Sequence, residues 1–173
     1  MRYEEVKMGD LKTADQIAVC GNISDLNPLL APLTMLAGDK YFHHGIFDRE
    51  NLAVYDFYGD SKKNARPQRR DFTEFFYGHE ILFRVVYEDG EQCLPADEVM
   101  KRAKDAVENQ SSWPCYDLVK NNCESFATFV KTGKLYSEQA ITAVNEVCKK
   151  VASYLVAAGG SLAAIGFIVL RFK

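Results

Sequence analysis

A chain of 173 residues has room for one domain and an appendage. A formal charge of −3, with 47% apolar and 26% charged residues, is ordinary for a globular protein, and no basic stripe interleaved with aromatics marks a nucleic-acid groove. The five cysteines (Cys20, Cys93, Cys115, Cys123, Cys148) are scattered and form no CxxC pair, which argues against a zinc site or redox dithiol and for reduced, cytosol-facing thiols. The N-terminus, MRYEEVKMGDLK, has no apolar signal core, so secretion is not expected.

Taken in chain order, Gly9–Tyr41 is poorly patterned, with an apolar middle, Leu29–Leu36, broken by Pro32; it reads as a short helix or a lid. Tyr41–Phe47 and Leu52–Phe57 are rich in aromatic and branched residues and read as strands, joined by the hairpin loop Asp48-Arg49-Glu50-Asn51. Ser61–Asp71 reads as a polar basic loop carrying Lys62, Lys63, Arg66, Arg69 and Arg70, either solvated or touching anionic headgroups. Phe72–Tyr77 and Ile81–Tyr87 read as further strands, the last closed by the turn Glu88-Asp89-Gly90-Glu91. After Pro95 the period becomes helical, with Val99, Met100, Ala103, Ala106 and Val107 on one stripe. A second helix is expected from Asn121 or Asn122 to just before Gly133, its Cys123, Phe126, Ala127 and Val130 facing the sheet. A third, capped at Ser137, runs through Val147. Strands first and helices after is an α+β order.

Val151–Leu170 carries no charge over about twenty residues, the length that crosses about 30 Å of hydrocarbon. The reading is a C-terminal transmembrane helix, against the alternative of a buried core helix. It divides the chain into a domain at 1–147 and an anchor at 148–173. Lys149 and Lys150 on the domain side place the domain in the cytosol. Ala157 with Ser161, Gly159 with Ala163 and Gly160 with Ala164 put small residues four apart, which suggests a weak homodimer through the tail.

Cys123 falls in the first turn of its helix, where unpaired N–H groups and the dipole favour negative charge on a thiolate or an oxyanion. The bland alternative is a small buried hydrophobe. Three histidines exist, His43, His44 and His79; the first two are adjacent on a strand, so their rings face opposite sides. One of them can meet the Cys helix and take the thiol proton.

His44-Gly45-Ile46-Phe47 and Asn122-Cys123-Glu124-Ser125-Phe126 together resemble the His box and the Asn-Cys-Glu box of the lecithin:retinol acyltransferase-like family, in particular its small phospholipase A/acyltransferase branch. Met8-Gly9-Asp10-Leu11 resembles the family's opening strand. Cys93-Leu94-Pro95, Tyr116-Asp117-Leu118, Lys131-Thr132-Gly133 and the apolar tail follow in the family's order. The resemblance implies an antiparallel sheet with a packed Cys-bearing helix, permuted papain-like and NlpC-related. It implies acyl transfer from a phospholipid through a Cys123 thioester to water or an amine or alcohol, with no metal or organic cofactor. By position His44 matches the base. Asp56 stands where the family usually has a second His, and an Asp can orient an imidazole; a polar residue closing a strand is the alternative, and His79 is a rival third member. Ser125 replaces a His two after the Cys. A peptidase or amidase of the wider superfamily, or a non-catalytic membrane-associated relative, are the other functional readings.

Overall fold

The computed structural model describes residues 1–22, 40–61, 63–88, 92–117 and 120–157. The chain divides into two compact units, Met1–Gly21 with Tyr41–Glu138, and Asn22–Lys40 with Gln139–Lys173; the site lies in the first. Among the described residues a sheet of six strands runs in the order β1-β6-β2-β3-β4-β5, where β1 is Arg2–Glu5, β2 Gln16–Asn22, β3 Lys40–Asp48, β4 Ala53–Tyr58, β5 Arg66–Asp71 and β6 Leu82–Val86. The helices are α1 (Phe72–Phe76), α2 (Ala96–Glu108), α3 (Cys123–Thr132) and α4 (Glu138–Ala157). The architecture is α+β, with antiparallel pairing of β1 and β2 on β6, and of β4 on both β3 and β5.

The hairpin expected between β3 and β4 is present. Its register runs from Asp48↔Ala53 to Gly45↔Asp56. The Asp48 carboxylate closes the turn, accepting from the backbone N–H of Glu50 and Asn51 and from Asn51 Nδ2. These bonds hold Leu52 at φ +46°, a left-handed conformation that a bulky residue adopts only when its surroundings impose it.

Four expectations for the strands and loops are corrected. The basic stretch 61–71 is a loop only as far as Ala65, since Arg66–Asp71 forms β5, a sheet edge where charges and Pro67 are tolerated. Lys62 lies outside the described residues. Phe72–Tyr77 is not a strand. Its aromatic content is that of a strand, but Phe72 and Phe75, three apart, form one buried helical face against Phe47 and Val54. In the unpatterned stretch 9–41, β2 went unread because Gln16, Ile17, Ala18 and Val19 are all fully buried, which erases polar–apolar alternation. Met8-Gly9-Asp10 is a single 3-10 turn, and the opening strand is Arg2–Glu5. The apolar segment 29–36 and residues 89–91 of the expected turn lie outside the described residues.

The helices α2 and α3 match the sequence pattern. Val99, Met100 and Ala103 of α2 pack with Phe126, Ala127 and Val130 of α3 against Ile46, Tyr55 and Phe57 of the sheet. Gly133 ends α3 at φ +80°, the left-handed cap that glycine adopts at least cost. As for the tail, α4 ends at Ala157, and no described helix is long and apolar enough to cross a membrane. Most of the expected span at 151–170 lies outside the described residues, so the transmembrane helix has no support in the structure.

Gly45 is required for packing. A Cβ there would clash with Val54 Cγ1 and lie 3.2 Å from both Phe75 and the Tyr55 carbonyl oxygen. Gly45→Ala is therefore expected to destabilise the fold by about 1–3 kcal/mol, read as a lower urea midpoint at unchanged slope.

Candidate active site

The start of α3 is fixed from both sides. Upstream, Asn121 bridges to Asp117, and its amide donates to the carbonyls of Pro114 and Cys115, which folds the loop that carries Tyr116. At the cap, Asn122 Oδ1 accepts from Ser125 N at 2.9 Å while Ser125 Oγ accepts from Asn122 N at 2.8 Å, a reciprocal capping box. Asn122 Nδ2 donates to Ser137 Oγ, which donates in turn to the buried Glu124 carboxylate. Ser125, which the sequence left without a role, thus completes the cap. Asn122→Ala is expected to cost about 0.5–2 kcal/mol in thermal or urea unfolding. This cap places Cys123 in the first turn, 4% exposed, with its thiol donating to the Phe42 carbonyl at 3.8 Å.

Phe42 immediately precedes His43, whose ring lies within electrostatic reach of the Cys123 thiol. His43 Nε2 lies 2.8 Å from Oδ2 of Asp56, whose side chain is wholly buried. The second partner of Asp56 is Arg70, which donates through Nε to Oδ1 at 3.2 Å and to Oδ2 at 3.1 Å, and through Nη2 to Oδ2. The His43 ring packs on Phe75 and Tyr58. Burial alone draws the His43 pKa down. The negative charge of Cys123, the hydrogen bonds to Asp56 and to Cys123, and the Asp56 charge outweigh it and raise the pKa from 6.5 to about 10. Tyr116 is a further neighbour: burial, and then the Cys123 charge and hydrogen bond, hold its phenol well above the usual range.

His44 lies elsewhere. Its ring is fully buried, with Nδ1 accepting from Gln16 Nε2 at 3.1 Å and Nε2 lying 3.2 Å from the Tyr3 hydroxyl. Tyr87 extends the chain by donating to Gln16 Oε1. Burial, and then the nearby charge of His43, lower the His44 pKa to about 3. Of the expected grouping of Cys123, His44 and Asp56, the structure places Asp56 and the Cys123 thiol by the imidazole of His43 and not by that of His44. The rival His79 hydrogen-bonds through Nδ1 to the Cys20 carbonyl at 3.0 Å. Register carried the signal: Gly45 opposes Asp56, and residues two apart on a strand share a face, so Asp56 falls on the face of His43 and not of His44. A cavity of ≈ 240 Å³ lined by Tyr87, Gln92, Thr128, Thr132, Lys134 and Tyr136 includes none of Cys123, His43, His44 and Asp56. Among the described residues no cluster of His, Cys, Asp and Glu is suited to a metal ion.

Arranged in this way, the groups can perform nucleophilic acyl chemistry: a thiol in the first turn of a helix, an imidazole in contact with it, and a buried carboxylate behind the imidazole. The chain is 39% identical over 54 residues to phospholipase A and acyltransferase 1 of Rattus norvegicus, covering 31% of this chain and 30% of that protein. It is 34% identical over 61 residues to phospholipase A and acyltransferase 1 of Homo sapiens, covering 35% and 34% of the two chains. The match thus spans about a third of the length of either relative. The sequence profile of the lecithin retinol acyltransferase family matches residues 11–136, which takes in β2 through α3 and every residue of the site, and the chain belongs to that family.

Proposed function

We propose that this protein takes an acyl chain from a glycerophospholipid onto Cys123 and passes it to water or to an amine or alcohol acceptor. One observation carries this reading: the His43 imidazole, held 2.8 Å from the buried Asp56 carboxylate, follows directly on Phe42, whose carbonyl receives the Cys123 thiol at the start of α3. The curated relatives, whose names join phospholipase A and acyltransferase activity, supply the substrate class.

In this mechanism His43 takes the thiol proton, which leaves the negative charge on Cys123. Because Nε2 faces Asp56, the ring meets sulfur through Nδ1. Sulfur attacks the ester carbonyl, and backbone N–H groups at the start of α3 receive the oxyanion. Collapse breaks the ester C–O bond, His43 gives its proton to the departing lysophospholipid oxygen, and a thioester remains on Cys123. Water, an amine or an alcohol then gives a proton to His43 and attacks the thioester, and sulfur leaves. Asp56 keeps the ring oriented throughout. The uncharged run at 151–170 would hold the domain against its substrate membrane, with the domain on the cytosolic side.

The test is incubation of the detergent-purified full chain with acyl-labelled phosphatidylcholine, followed by a search for a hydroxylamine-sensitive adduct. The expected result is an adduct on wild type and none on Cys123→Ala. No adduct on wild type, or one that survives Cys123→Ala, contradicts the reading.

A further inference from the structure

We propose that Arg70 is a positioning residue of this site: its guanidinium fixes the buried Asp56 carboxylate against His43 and balances the charge that an aspartate introduces there. The proposal rests on the thiol–imidazole reading above and deepens it.

The placement follows from register. Asp56 opposes Gln68 across the β4–β5 pair, and Arg70, two residues further along β5, shares that face. Arg70 engages both carboxylate oxygens of Asp56 and also brings Nη2 to 3.4 Å from His43 Nε2, so the imidazole and the guanidinium converge on Oδ2. Its side chain is only 14% exposed and lies over the Tyr58 ring, 3.9 Å from the centroid, with Phe75 at 5.8 Å. Arg66 and Arg69 of the same edge strand are by contrast exposed. An arginine drawn inward from a basic edge strand and held between two aromatic rings is built into the structure.

Charge explains the need. The thiol and the imidazole together carry no net charge whichever of them holds the proton, so the Asp56 carboxylate leaves one uncompensated negative charge in a buried site, which is unfavourable. Arg70 brings the sum to zero. A neutral histidine at position 56, the residue the family resemblance leads one to expect, would require no such cation. Asp56 and Arg70 therefore form an exchangeable unit, and exchanging only one member creates an imbalance.

The experiment measures the rate of carbamidomethylation of Cys123 by iodoacetamide at neutral pH, by peptide mass spectrometry on the full chain, for wild type, His43→Ala, Arg70→Gln, Arg70→Lys, Asp56→His and the double variant Asp56→His/Arg70→Gln. Arg70→Gln and Asp56→His are each expected to slow the reaction by about tenfold to a hundredfold, at the lower end of what a positioned proton-transfer group contributes. Arg70→Lys restores part of the loss of Arg70→Gln. The double variant reacts faster than either single variant, a sign of coupling that loss of packing does not produce. Arg70→Gln reacting at the wild-type rate, or a double variant as slow as the slower single, overturns the role of Arg70, and the double decides the matter even where Arg70→Gln fails to fold. If His43→Ala leaves the rate unchanged, the thiol–imidazole reading itself falls, which separates its failure from that of Arg70.

Discussion

His43→Ala will reduce acyl transfer from phosphatidylcholine by about 10²–10⁴-fold, the contribution of a positioned acid–base group, while His44→Gln will stay near wild type per folded molecule. The two residues are neighbours in sequence but differ in surroundings. The His43 ring touches the thiol and the Asp56 carboxylate, and its proton is held there by negative charge. The His44 ring is sealed between Gln16 and Tyr3 and resists protonation down to about pH 3. His44→Gln is instead expected to lower stability by about 1–3 kcal/mol, because it leaves buried polar partners imperfectly satisfied. Initial rates corrected for folded fraction, together with urea midpoints, separate the two effects. Equal loss of rate at both positions would contradict the assignment.

Asp56→Asn will move the alkaline limit of acyl transfer to lower pH. The His43 pKa is raised from 6.5 to about 10 against the opposing effect of burial, and Asp56 contributes two of the causes that raise it, a hydrogen bond and a charge. For a group raised on folding, the linked stability is fully present below the unfolded value of about 6.5 and is lost as pH climbs through the folded value near 10. Protonated His43, which must supply the leaving-group proton, follows the same window. Removing the carboxylate charge takes away part of what holds that proton, so the descending limb of kcat/KM against pH shifts downward. Lower rates with an unshifted limb would mean that Asp56 orients the ring without tuning it. An upward shift would contradict the electrostatics described here.

Much of the framework of the candidate site is legible in sequence, because it rests on local rules. The cap at Asn122, the stop at Gly133 and the stripe Cys123, Phe126, Ala127 and Val130 define α3 without reference to any partner. The hairpin 41–57 was legible for the same reason. Between the two adjacent histidines the resemblance points to His44, whereas strand parity puts His43 on the face of Asp56. A loop of four residues between strands ending at Phe47 and starting at Leu52 sets His43 opposite Asp56, and the actual register, Gly45↔Asp56, keeps odd-numbered residues of β3 on that face. In either register Asp56 cannot orient His44.

The elements that were missed depend on long-range burial. β2 is buried on both faces and so has no alternation to read. The strand-like aromatics of 72–77 form a helix because Phe72 and Phe75 find a common core surface. In sequence Arg70 is one of five basic residues in a polar stretch, and nothing local distinguishes it from Arg66 and Arg69. Only the pairing of β5 with β4 brings its guanidinium to Asp56.

The most direct test of the coupling between His43 and Cys123 is an NMR titration of ¹⁵N-labelled histidine in the full chain in detergent, for wild type and Cys123→Ala. In wild type, one imidazole, assigned to His43 by its absence in His43→Ala, should stay protonated through neutral pH and titrate near 10, while that of His44 stays neutral down to about 3. In Cys123→Ala the His43 titration should fall, because the charge that most strongly opposes burial is gone. A His43 resonance that titrates near 6.5 in both proteins would contradict the account.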